Sequence, residues 1–401
     1  WEDGEHALAA GAAGIESAQI LTEAIEPYAD ILGFKGLGTF SGGTAEDRII
    51  IALKTLDKIT PKLDDIGSRL KIVDENLQRI DEKRYNFNYQ EILISDKLKK
   101  AKDLIHGATE AVTDAKPALE LLPKLAGMEG EKKYMVLFHN DGELRGTGGF
   151  MTAYGIMRVD NGRVIVERSS DIYELDNKFK SRLQPPKMVM DLLKVNYWHL
   201  RDLNLSPDFK ENMDLFSGYY GTISGEPKVD GIVGVDTKFL VDLLALLGPI
   251  DVPNFGRFSN DNDPMCDCPQ VVYQLEAIAD RPVATLVENR KGVLGPLMRE
   301  LILKTYGAPK AWWDDLFRIF IDNVNEKHVA FYFKMDQPGF EQAAEQLNAA
   351  GRVQEANGDY LMVNDVNFGG AKANFFVKQD VTQNMEIDKE GTITKTLTVT
   401  Y

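Results

Sequence analysis

The segment Asn140-Asp141-Gly142-Glu143-Leu144-Arg145-Gly146-Thr147-Gly148-Gly149-Phe150 puts one amide, two carboxylates, one guanidinium and four glycines between two strand-like runs. Glycines let a chain turn tightly and present bare N–H groups, the geometry of an anion-binding nest. Arg145 adds a planar fork suited to phosphate or carboxylate. Asn140, Glu143, Gly148 and Gly149 are therefore candidate ligand-binding residues around Arg145. The competing reading is a glycine-rich hairpin loop with no ligand, although a simple strand connection needs only one or two glycines and no buried charge.

A second polar cluster follows at Trp198-His199-Leu200-Arg201-Asp202-Leu203-Asn204-Leu205-Ser206-Pro207-Asp208-Phe209. It alternates apolar anchors with Arg201, Asp202, Asn204 and Asp208, and a helix is expected to start at or near Ser206-Pro207. Arg201 and Asp202 could form no more than a surface ion pair, worth ~0–1 kcal/mol. The density of hydrogen-bonding side chains favours a site shared with the first cluster. Between the two lies Ser169–Asp176, where Asp171, Glu174 and Asp176 could hold Mg²⁺ through oxygen ligands or simply form a solvated acidic loop.

Other signals are weaker. Asn260-Asp261-Asn262-Asp263 has some of a calcium loop but lacks its glycine and closing glutamate. His139 as a general base competes with a packed strand-end histidine. The glycine run at 36–43 has no preceding strand and reads as a connector between helices. No Gly-x-Ser-x-Gly elbow, His-Glu-x-x-His or phosphate-loop lysine occurs, which disfavours the ordinary serine hydrolase, zinc protease and P-loop classes.

The elements that must carry these residues follow from hydrophobic period. Residues 5–128 read as helix: Ala7 to Tyr28, then Ala45 to Ile80, then about Tyr89 to Ala115, ending before Pro117. From Lys133 the period becomes that of strands. Phe150–Val159 and Arg163–Ser169 flank Asp160-Asn161-Gly162, a hairpin signal. Asp230–Asp236 reads as a strand and Thr237–Leu247 as a helix capped by Asp236 or Thr237 and closed at Gly248-Pro249. Helix returns over 270–325, with Trp312-Trp313 as core or interface anchors. His328–Lys334, Gly339–Ala350 and Tyr360–Val366 read strand, helix, strand, and Phe375–Tyr401 reads as strand throughout.

The expected fold is therefore α/β (α+β): a mixed sheet flanked by helices, preceded by a helical stalk or bundle and followed by the start of a β domain. We divide the chain at 1–130, 131–378 (with a helical insertion at about 265–327) and 379–401. A chain of 401 residues is long enough for two or three domains. Its 46 Lys plus Arg against 62 Asp plus Glu leave a formal net charge of −16. That charge argues against nucleic acid and against a basic patch on anionic lipid. The two cysteines, Cys266 and Cys268, could be free thiols or a local disulfide. No run reaches the ~18–20 apolar residues of a membrane span. Trp1 and Tyr401 both look like cut ends, so the lack of a membrane anchor here says little about the parent protein.

Asn140-x-x-Glu143-x-Arg145-x-x-Gly148-Gly149-Phe150, the hairpin at Asp160–Arg163 and Leu200-Arg201-Asp202-x-Asn204-x-Ser206-Pro207-Asp208-Phe209 together resemble a bacterial envelope family, the domain of unknown function numbered four thousand and twelve. Val229-Asp230-Gly231 with Val235-Asp236, Leu247-Gly248-Pro249-Ile250, Arg290-Lys291 and Asn367-x-Gly369-Gly370-x-Lys372 extend the resemblance over roughly Lys133 to Tyr401. It implies an outward-facing protein anchored by an amino-terminal membrane helix, with other envelope proteins as partners. The order of hairpin, strand, helix and Leu-Gly-Pro-Ile-Asp-Val is also remotely similar to the LytR-CpsA-Psr enzymes, which transfer glycopolymers from polyprenyl pyrophosphate carriers.

That second likeness implies a polyprenyl-phosphate or cell-wall glycan ligand, with Arg145 and Arg201 clamping the pyrophosphate and Asp171 or Asp202 holding Mg²⁺. Arg145, Arg201 and Asp202 would then be the catalytic set. One expected arginine is missing, because Ser170 stands before Asp171. Two functional expectations follow: an envelope protein that binds or transfers a phosphorylated carrier, and a non-catalytic structural or adhesion component whose polar motifs form a buried network. They differ in whether Arg145 and Arg201 face an open pocket or are paired to carboxylates.

Overall fold

A computed structural model describes residues 1–25, 45–89, 92–280, 292–334, 337–370 and 372–401. The glycine-rich connector at 36–43 and the Arg290-Lys291 pair lie outside the described residues. The expected helical first part is present as α1 (Glu2–Ile25), α2 (Ala45–Arg79) and α3 (Ile94–Leu125). Small residues of α1 allow close approach: Ala10 and Ala13 are buried against Val73 of α2, with Leu77 and Ile105 beside them.

The third helix departs from expectation at both ends. It starts at Ile94, after a short ladder of Asn88–Tyr89 with Ile92–Leu93, and it runs through Pro117 and Pro123 to Leu125. An internal proline removes a hydrogen bond and costs about 3 kcal/mol. The helix end gains compensating packing, because Leu125 docks on the cluster of Phe333, Phe340 and Ala344. The Tyr134 hydroxyl also donates to the Leu125 carbonyl at 2.7 Å.

The sheet is mixed and flanked by helices, as its sequence pattern requires. Its strands are β1 (Lys132–Asn140), β2 (Phe150–Asp160), β3 (Arg163–Asp171), β4 (Gly231–Val235) and β5 (Val329–Phe333). The spatial order is β5-β4-β1-β2-β3. β1 and β4 run parallel, with Tyr134 opposite Gly231 and Phe138 opposite Val235, while the other neighbours are antiparallel. The β2–β3 turn has Asn161 and Gly162 both at positive φ, the conformation a two-residue hairpin demands.

Alternation along the strands gives the sheet two apolar faces. On one, Met135, Leu137, Tyr154, Ile156 and Ile232 are buried beneath α4 (Ile172–Lys178), α6 (Phe209–Tyr220) and the segment around Leu200 and Leu203. A short helix, α5 (Lys187–Leu193), lies between α4 and that segment in sequence. The other face is overlaid by α7 (Thr237–Leu247), α8 (Gln270–Asp280), α9 (Leu294–Tyr306) and α10 (Trp313–Asn325). Ladders of three residues (Ile250–Val252 with Gly256–Phe258) and of two (Asn262–Asp263 with Cys268–Pro269) separate α7 from α8. Cys266 and Cys268 are joined in a disulfide.

Three further boundaries differ from the sequence reading. The helix expected from Ser206-Pro207 begins at Phe209, because the Asp208 side chain caps it by accepting from the Glu211 N–H. The helix expected over Gly339–Ala350 is α11 (Pro338–Gln346). Tyr360–Val366 forms no strand: it has no ladder partner, and it is tied through Asp365, which accepts from Gln379 and the Tyr401 hydroxyl. Beyond a 3₁₀ turn at Ala373–Phe375, β6 (Asp380–Ile387) and β7 (Ile393–Thr400) pair only with each other.

Candidate functional site

The fold brings the two polar segments together. Arg145 is buried, and its guanidinium donates to Glu143 Oε1 at 3.1 Å, to the Leu144 carbonyl at 3.1 Å and to the Asn367 carbonyl. The same group stands 3.8 Å from Asp202 Oδ1. Arg201 carries the chain onward: it donates to Asp176 Oδ2 at 2.6 Å and lies 3.6 Å from Asp202 Oδ2. A line of alternating charge results, Glu143–Arg145–Asp202–Arg201–Asp176. Aromatic faces sandwich the cations, with Phe150 and Phe368 on Arg145 and Tyr173 over Arg201 at 4.5 Å.

Burial shapes this network's electrostatics. It pushes the carboxyls of Glu143 and Asp202 above their ordinary values, opposed by Arg145 for Glu143 and by Arg201 and Arg145 for Asp202. Burial likewise raises the Tyr173 phenol against the pull of Arg201. One donor of the network, Arg145 Nε, is buried with no hydrogen-bond partner.

The remaining predicted residues are engaged in holding the same architecture. Asn140 Oδ1 accepts from the Gly142 N–H, and its Nδ2 donates to Glu276 at 2.7 Å. Asn204 is fully buried and donates to the Gly149 carbonyl at 2.8 Å, stitching the second segment to the first. A Cβ on Gly149 would fall 2.3 Å from the Asn140 backbone, so the loop closes only with glycine there. Gly148 has φ +96°, and its N–H donates to the Arg145 carbonyl. The Phe150 and Leu144 N–H groups are engaged too, by Glu143 O and Asn374 Oδ1. Asp208 caps α6 and also takes the Val353 N–H and Arg352.

The acids of the segment 171–176 already have protein partners at two of three positions. Asp171 caps α4 by accepting from the Tyr173 N–H at 3.0 Å, and Asp176 is spent on Arg201 and the Leu200 N–H. Among the described residues no group of three His, Cys, Asp or Glu side chains could hold an ion. In the Asn260–Asp263 segment, Asp261 accepts from Ser259 and Asp263 from the Met265 N–H, which is turn chemistry.

A different feature occupies the face of the sheet beneath α7–α10. There an apolar cavity of about 560 Å³ opens between the strands and the helices. Val136, Phe138, Val233 and Phe331 form its floor, and Leu240 and Leu297 contribute to its roof. Phe138, Val233 and Val235 sit in central strands of the sheet yet remain only half-buried, each partly packed on the overlying clusters and partly facing the cavity. This volume lies within the ~300–1,000 Å³ range of small-molecule sites.

One end of the cavity is polar and lies where the parallel strands β1 and β4 both finish. Crevices at such carboxyl ends are the usual ligand positions of parallel strands. Asn140, Thr152, Asp236, Thr237 and Glu276 line it. Asp236 caps α7 and binds His328 Nδ1 at 2.6 Å, Thr237 donates to Asp141 at 2.6 Å, and Glu276 pairs with Lys372 at 2.6 Å. The Asp236 contact raises His328 above its ordinary value, whereas burial pushes His139 down to about 4. His139 is thus a packed, neutral imidazole beside Phe209, bonded to the Thr147 backbone.

Sequence reasoning identified the network's members but not the cavity, nor Asp236, Thr237 and Glu276 as one cluster. A signal exists for part of it, since the sequence places a helix cap at Asp236 or Thr237, where a strand ends. No helix among the described residues is long and apolar enough to cross a membrane. None of the curated proteins matches the chain. Residues 129–264, which carry β1–β4, α4–α7 and both polar segments, match the model of a family described as "Protein of unknown function (DUF4012)".

Proposed function

We propose that this chain is a non-catalytic component of a bacterial cell envelope that binds the apolar chain of an amphiphile in the cavity between its sheet and α7–α10. The single observation behind this reading is the cavity itself, mostly apolar, with carboxylate, amide and hydroxyl groups gathered where β1 and β4 finish. Its lining is dominated by aliphatic and aromatic side chains, the chemistry that takes up an alkyl chain. The Cys266–Cys268 disulfide supports an oxidising, outward-facing location, since such bonds persist outside the cytosol.

This reading keeps the lipid part of the LytR-CpsA-Psr resemblance and gives up its arginine clamp. Both guanidiniums are already bonded to carboxylates, so a pyrophosphate would have to displace the half-buried Glu143 and Asp176. The network instead fixes the loop whose Asn140 lines the polar end of the cavity. We propose no transfer step and no role for Mg²⁺.

The test is retention of lipid by the purified protein. Native mass spectrometry and displacement of a lipophilic fluorophore should both detect one long-chain amphiphile per chain. Absence of any bound or displaceable amphiphile would refute the reading.

A further inference from the structure

The cavity's polar end carries information about the head group it would receive. Its lining contains two carboxylates, Asp236 and Glu276, and among the described residues no Lys or Arg. Asp141 stands directly behind Thr237, adding a third carboxylate through a 2.6 Å hydrogen bond. The cations that reach this group, Lys372 and His328, are engaged by Glu276 and Asp236 and are not part of the lining. His139 at the same end is neutral, its ring buried and deprotonated in the ordinary pH range.

An anionic head entering here would find no lining cation among the described residues, because Lys372 and His328 are held by Glu276 and Asp236, and it would lose its hydration in a poorly solvated space without a charged partner. A hydroxyl or ammonium group would find acceptors in the Asn140 and Thr237 side-chain oxygens and in the two carboxylates. We propose that the ligand is an amphiphile with an uncharged or cationic hydrogen-bond-donating head, a long-chain alcohol or amine, and not a phosphate or carboxylate. This rests on the cavity being the binding site.

A matched series separates the two ideas. The full chain is titrated with an alcohol, a primary amine, a carboxylate and a monophosphate of identical long alkyl chain, each displacing the same lipophilic fluorophore. The alcohol and the amine should bind at least about tenfold more tightly than the two anions, a ratio that corresponds to ~1.4 kcal/mol. In Glu276→Gln, glutamine can keep the hydrogen bond to Asn140 while the charge facing Lys372 is removed, so the preference should shrink toward equality. Anions binding as tightly as the alcohol, or a preference unmoved by Glu276→Gln, would overturn the head-group assignment while leaving the cavity reading intact. Displacement by none of the four would overturn both.

Discussion

Arg145 and Glu143 lie two residues apart on one loop, and their side chains meet at 3.1 Å, with the guanidinium almost wholly buried. The same guanidinium faces Asp202 from the second polar segment, so one arginine closes a contact between stretches more than fifty residues apart. Buried ion pairs give little net stability, because desolvation offsets attraction, but removing one partner leaves the other uncompensated. The arginine therefore acts as a fastener.

Replacing it gives the first prediction. Arg145→Met leaves the half-buried Glu143 without its cation and Asp202 with Arg201 alone, and should lower unfolding free energy by ~3 kcal/mol. Adding Glu143→Leu should restore part of that loss, because one stranded carboxylate is removed. Urea denaturation followed by circular dichroism measures both. A loss below about 1 kcal/mol in the single variant, the level of an exposed pair, would mean the network is not a structural fastener.

The two histidines near the polar end should titrate in opposite directions. His328 is raised from 6.5 by its bond to Asp236, so its stabilising contribution is complete below that value and is lost as pH rises through the raised one. His139 is depressed to about 4 by burial, so its contribution is present above 6.5 and is lost as pH falls toward about 4. Histidine-resolved NMR titration should find the His328 resonance moving above pH 6.5 and that of His139 still unprotonated at pH 5.5, about one unit below the ordinary value. The same midpoint for both would contradict these environments.

The β6–β7 hairpin supplies a third prediction. Val381, Met385, Ile387, Ile393 and Leu397 share one face and are all exposed, while threonines dominate the other. An isolated two-stranded ladder is marginally stable in water. Its amides should exchange with deuterium well ahead of those of β1, whose neighbours on both sides are paired. Equal protection in β1 and β6 would show that something covers the hairpin.

The sequence made some of this legible and hid the rest for physical reasons. Helices α1 and α2 were readable because their apolar residues recur at helical spacing, and Asp160-Asn161-Gly162 was readable because only such residues accept positive φ easily. α3 was misjudged at Pro117, where a local rule gave way to the docking of Leu125 far along the helix. Tyr360–Val366 alternates like a strand, yet a strand exists only when another offers its hydrogen bonds. The polar motifs announced Arg145 and Arg201, but pairing is a long-range fact: Asp176, which holds Arg201, looked like one acid among several. The cavity was hidden most completely. Its walls come from five strands and four helices, and an apolar residue facing a void has the same letter as one facing a neighbour.

The most direct test compares amphiphile binding in two variants that keep native circular dichroism. Val233→Trp fills the cavity floor, and Arg201→Gln opens the charge network without touching the cavity lining. The account predicts that Val233→Trp weakens displacement of the lipophilic fluorophore by at least about tenfold, while Arg201→Gln changes it by less than about twofold. Loss of binding in Arg201→Gln with full binding in Val233→Trp would contradict it and return the ligand to the arginines.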